Sequence, residues 1–135
     1  MEELRRALEA RDEAEVERLL SPDVVFRSPA LFKPYAGRAA TMVFLRAAMQ
    51  TFEDFRYVRT FTEDSSSGGR GHVLMFEATV GGRALEGVDV VTVGDDGLVA
   101  EFRVLVRPMT GLIALAEAMA PRVEGPLAEL GISPG

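Results

Sequence analysis

From Phe55 to Val106 the hydrophobic period of the chain is two, and this run most narrows the folds open to it. Phe55–Thr62, His72–Val80, Arg83–Val93 and Leu98–Val106 are rich in Val, Phe and Thr and read as four consecutive strands. Gly81-Gly82 and Asp95-Asp96-Gly97 are tight-hairpin signals between them. SSSGGRG, at positions 65–71, reads as a longer mobile hairpin loop. It has no phosphate-cradling glycine spacing and opens no helix. Strands joined by hairpins pair antiparallel, and such a sheet must cover one apolar face with something else.

The segments on either side supply the cover. Leu4, Leu8, Val16, Leu19 and Leu20 recur at helical spacing, and Asp12 with Glu15 forms a capping box. The spacing therefore predicts two short helices meeting near Arg11, ended by Pro22 and Asp23. Asp23–Pro29 reads as a short strand, followed by an irregular loop through Pro34. Gly37 opens a third helix over Arg38–Thr51 with a broad apolar face. Beyond Pro108, Leu112, Leu115, Met119, Val123, Leu127 and Leu130 mark an apolar stripe on a helical tail. That tail is expected to break at Pro121 and at Gly125-Pro126. Helices followed by a run of strands indicate a single α+β domain over residues 1–135, with a core at 3–107 and the tail at 109–131.

Composition narrows the chemistry. The chain has no cysteine or tryptophan and a single histidine, His72. Disulfides, thiolate nucleophiles and Cys-based metal sites are excluded, and no metal or cofactor is expected. A net charge of −6 opposes binding to nucleic acid or anionic lipid. The basic side chains are fourteen Arg and the single Lys33, with no Asn at all, a bias typical of GC-rich coding sequence rather than phosphate recognition. The N-terminus carries no signal-peptide pattern, and the longest apolar run, Leu112–Ala116, is far short of the ~20 residues that span a bilayer. A cytoplasmic protein without a membrane segment is the expectation.

LLSPDVVFRSP…YAGRAA, the hairpin LEGVDVVTVGDDGLVAEFRVLV and the two-helix N-terminus, in this order and spacing, resemble the nuclear transport factor 2-like superfamily. This group includes the ketosteroid isomerases, SnoaL-like cyclases and limonene epoxide hydrolases. The resemblance covers residues 3–107. It implies a cone-shaped α+β fold in which a curved antiparallel sheet and N-terminal helices enclose a pocket. Alternation then turns His72, Leu74 and Phe76 inward on one strand, Asp89 and Val91 on the next, and Phe102 and Val104 on the last. Phe26, Ser28, Tyr35 and Phe44 complete the expected lining for a small lipophilic molecule.

Asp89, flanked by valines in GVDVVTV, is the one carboxylate this pattern buries, and burial should raise its pKa. The resemblance adds that the matching isomerase position holds the acid of the oxyanion hole. Asp89 is either a functional acid or a buried one satisfied by an Arg or a water. The isomerase base corresponds to Ser28 and its tyrosine to Leu4, so that mechanism is incomplete here. The epoxide-hydrolase set also fails, with Gly87 where an arginine is needed and Val104 and Val106 where an acid is needed. A SnoaL-like acid–base pair could come only from Asp89 with His72; otherwise His72 is a solvated strand end. Tyr35 and Tyr57 are either hydroxyl donors at the mouth or surface aromatics. Arg107 is either a rim anchor or half of an outward ion pair.

Two functions remain: a pocket protein for a lipophilic ligand, with isomerisation or cyclisation by Asp89 and His72, or a non-catalytic binding module whose pocket is filled by side chains. A cavity under about 300 Å³ would favour the module. Val73, Met75, Val88, Val90 and Leu105 form one apolar patch on the sheet's outer face, so a homodimer is expected in both cases.

Overall fold

Six strands in the order β2-β1-β6-β5-β4-β3 make one sheet in the computed structural model, which describes residues 1–64, 66 and 70–133. In chain order the elements are α1 (Glu2–Glu9), α2 (Glu13–Leu19), β1 (Leu20–Arg27), β2 (Tyr35–Ala36) and α3 (Arg38–Thr51). Then come β3 (Glu53–Thr62), β4 (Gly71–Val80), β5 (Arg83–Val93), β6 (Val99–Arg107) and α4 (Met109–Glu129). The order and the third helix agree with the spacing in the sequence. Asp12 accepts a hydrogen bond from the Glu15 N–H at 3.2 Å, so the capping box starts α2 as expected. Most of the 65–71 loop lies outside the described residues.

Consecutive strands β3 to β6 pair antiparallel, while β1 pairs parallel with β6. The sheet is curved and does not close, and β3 carries two register shifts, at Glu53/Arg56 and Tyr57/Arg59. Alternation on β5 puts Leu85, Gly87, Asp89 and Val91 on the buried face. The helices cover that face, with α3 buried along most of its length. Phe26, Phe44, Phe76 and Phe102 form the aromatic centre of the core.

Three expectations change. Pro22 and Asp23 lie inside β1 instead of ending a helix, because the register to β6 jumps between Leu20 and Val25 and the missing proline N–H costs no ladder bond there. The segment expected to be irregular contains β2, where Tyr35 pairs with Phe26 and Ala36 with Val25. The C-terminal tail is one helix of 21 residues, unbroken at Pro121 and Pro126. Both prolines face solvent, so water can satisfy the carbonyls that lose their partners. The stripe through Leu115, Val123 and Leu127 stays buried and holds α4 across α3 and the sheet. Gly111 lets the first turn of α4 sit on β5: a Cβ there would lie 2.8 Å from the Cβ of Leu85.

Candidate functional site

Asp89 stands opposite Leu74 on β4 and Val104 on β6, with its side chain pointing under the helices. Only 5% of the residue is exposed. Among the described residues its hydrogen-bond partner is Tyr57, whose hydroxyl donates to Oδ2 at 2.5 Å. Burial pushes the Asp89 carboxyl up to about 7, while the Tyr57 hydrogen bond pulls the other way. Burial and the neighbouring Asp89 hold the Tyr57 phenol well above its ordinary value, so it stays a donor. Oδ1 is left for whatever enters the cavity.

Tyr57 reaches the buried face because it pairs with the inward-facing Phe76 on β4. On this edge strand its backbone N–H donates to Oε2 of Glu9, at the end of α1, at 2.9 Å. Phe55 and Phe76 meet the Tyr57 ring edge-on, at centroid distances of 4.9 and 6.3 Å, and fix its plane. A carboxylate from the first helix thus positions a phenol on the third strand, which in turn orients the acid on the fifth.

The cavity beside Asp89 has a volume of about 230 Å³ and is walled by Phe26, Phe44, Phe76, Phe102 and Val104. Glu9, Arg11 and Asp54 supply its polar edge. Arg11 and Asp54 both have left-handed backbones, with φ of 56° and 52°, and the Arg11 guanidinium donates to the Phe52 carbonyl at 2.8 Å. A second cavity of about 240 Å³ opens beneath α4 and shares Phe26, Pro29, Phe44, Leu115 and Met119 with the first. Among the described residues no group of three or more His, Asp or Glu side chains is placed to hold a metal ion.

Of the residues expected at the site, Asp89, Phe26, Phe44, Phe76, Phe102 and Val104 line the first cavity. Ser28 lines the second and accepts from the Ala30 N–H at 3.1 Å. Leu74, Val91 and Tyr35 are buried in the core and line neither. Tyr35 is not a surface aromatic, since it is buried and β2 draws its ring onto Phe44 at 4.6 Å.

The Asp89–His72 pair is not formed. His72 sits opposite Val91, two residues from the Leu74 that faces Asp89, which is about 7 Å along the strand. Its Nδ1 meets Oγ1 of Thr62 at 3.2 Å, and desolvation with the nearby N-terminal amine lowers its pKa. Arg107 forms the outward ion pair, to Glu86 at 2.6 Å. Sequence reasoning missed the partnership of Tyr57 with Asp89 and the place of Glu9. Alternation turns Tyr57 inward beside Phe55 but does not say which acid its hydroxyl meets, nor that α1 brings Glu9 to its N–H.

Comparisons with known proteins agree with the fold. Residues 1–102 match the family model of the SnoaL-like domain. A solved steroid delta-isomerase from Pseudomonas aeruginosa is 43% identical, with a TM-score of 0.85 over 94% of this chain and 90% of that one. An uncharacterized protein with a cystatin-like fold from Silicibacter pomeroyi is 29% identical, with a TM-score of 0.86 over 95% and 89%. The epoxide hydrolase/cyclase-like enzyme SalBIII, of pyran ring formation in salinomycin, shares the fold at 17% identity and a TM-score of 0.64 over 82% and 88%. No curated protein matches the chain.

Proposed function

We propose, from the premise that this chain belongs to the SnoaL-like domain family, that it binds a lipophilic carbonyl compound and isomerises it by proton transfer through Asp89. What carries this reading is a carboxyl buried in an aromatic cavity and oriented by a phenol, with burial pushing its pKa up to about 7. A group with that pKa holds both protonation states near neutrality, as a general acid–base must. The carboxylate takes a proton from the carbon next to the ligand's carbonyl, leaving an enolate. The neutral acid then returns that proton to a carbon further along the conjugated system, so the double bond moves and nothing else is consumed. Tyr57 keeps Oδ2 occupied, so Oδ1 faces the substrate. The 43% identity to a protein called a steroid delta-isomerase supports the substrate class. The base of that mechanism still has no counterpart, since Ser28 faces the second cavity; Asp89 must serve alone.

The test is conversion of a β,γ-unsaturated ketosteroid to its conjugated enone, followed by absorbance. Asp89→Asn is expected to lower turnover by about 100-fold or more, the usual scale for loss of a general acid–base. Equal turnover in mutant and wild type would remove Asp89 from the reaction. One observation favours the non-catalytic module instead: the first cavity alone is smaller than the ~300 Å³ of ordinary ligand sites. Failure of any ketosteroid to bind wild type would decide for that reading.

A homodimer across the outer face of the sheet belongs to the same proposal. Val73, Met75, Val88 and Val90 are only half-covered in the single chain, and Leu105 is 54% exposed. The Arg107–Glu86 and Arg56–Glu77 ion pairs flank this strip as a polar rim. Sedimentation is expected to show a dimer that Val90→Glu converts to monomer; a wild-type monomer at micromolar concentration would exclude it.

A further inference from the structure

We infer that the second cavity, beneath α4, is the subsite for the apolar tail of the same ligand, and that Met119 is the residue setting how long that tail can be. This rests on the reading of the Asp89 cavity as a ligand site and extends it to a substrate class: an elongated, uncharged lipophile with one hydrogen-bond acceptor at its head.

The two cavities adjoin and share five lining residues. Of the five residues they share, Phe26 and Phe44 are stacked at 4.8 Å and Leu115 is buried, so these three form a fixed frame. Pro29 has no rotamer freedom worth the name. Met119 is unbranched, only partly buried against the core and borders both spaces, so of the five it has the most freedom to change rotamer. Each cavity alone is small for a drug-sized ligand, whereas the joined space falls in the usual range.

The chemistry of the two spaces differs in the way a head and tail require. The first holds Asp89 and the polar edge. The second is walled by Leu112, Ala116, Ala120 and Val123 of α4 and by Leu31, with only Ser28 and the exposed Glu124 as polar side chains. A charged tail would lose its hydration there without a partner, while a hydrocarbon tail loses nothing.

Straight-chain methyl ketones test this, because they share a head group and differ only in tail length. Calorimetric titration of wild type with heptanone and tridecanone should show affinity rising with length, up to about fourfold per buried methylene. Met119→Trp, which fills the passage, should abolish the gain of tridecanone over heptanone. Ala116→Phe, on a residue of the second cavity only, should do the same and covers the case in which the Trp variant fails to fold. If tridecanone gains nothing over heptanone in wild type, or keeps its gain in the folded variants, the tail subsite is wrong. In that event heptanone binding that weakens as pH rises, and loses this dependence in Asp89→Asn, would leave the Asp89 reading standing. Absence of heptanone binding would take both down.

Discussion

The sheet wall and the α4 wall of the cavity are built on opposite principles. On the sheet, β5 is paired on both sides, and its one inward polar group, Asp89, is set among Leu74, Val104 and the aromatic rings. On α4 the contact is a stripe of Leu, Met and Val one side chain deep, interrupted by prolines on its outer face. The paired wall can hold a carboxyl within hydrogen-bond reach of a phenol, whereas the helical wall can only offer shape. Reaction chemistry therefore belongs to the sheet and ligand selection to the helix.

The comparison breaks most visibly if Asp89→Asn keeps its turnover, since the reading expects a loss of about 100-fold or more in the ketosteroid assay. Next in size is Gly87→Ala, on the sheet wall. Its Cβ would lie 2.4 Å from the Leu105 carbonyl oxygen and 2.6 Å from the Phe76 ring, neither of which can retreat cheaply. A loss of about 1–3 kcal/mol in urea unfolding is expected, where Gly125→Ala on the exposed face of α4, with nothing within 4 Å, should show none. Equal effects at the two glycines would erase the contrast between the walls.

Tyr57→Phe sharpens the account of the acid. The phenol's hydrogen bond favours the charged carboxylate, so removing it moves the midpoint of the pH–rate profile upward. A downward move would show that Tyr57 does not donate to Asp89. The smallest effect is expected at His72→Ala: its bond is to Thr62, and turnover and its pH profile should match wild type. A changed profile would return the histidine to the site.

Much of the frame was legible in residues alone, because period-two alternation reports which face of a paired strand is buried. It placed Asp89, Phe76, Phe102 and Val104 correctly. It does not say which inward groups meet: Tyr57 shares the inward face with Phe76, but its bond to Asp89 and the Glu9 bond to its N–H follow from the fold. Alternation put His72 on the buried face of β4 but says nothing of distance along the strand, and that distance separates it from Asp89. The prolines of α4 read as breaks because sequence does not show that both face water. Tyr35 read as a loop residue because a two-residue strand is too short for a periodic signal.

The central claim is that Asp89 is a buried acid shared between its two protonation states near neutrality. In the native fold its pKa is raised above the unfolded value. It therefore favours folding fully in acid, and this contribution is lost as pH rises from the ordinary carboxylate range through about 7. Titration of the Asp89 carboxyl carbon by NMR, assigned by its disappearance in Asp89→Asn, measures this directly. A midpoint of about 7 is predicted; a midpoint in the ordinary carboxylate range, near 4, would contradict the account.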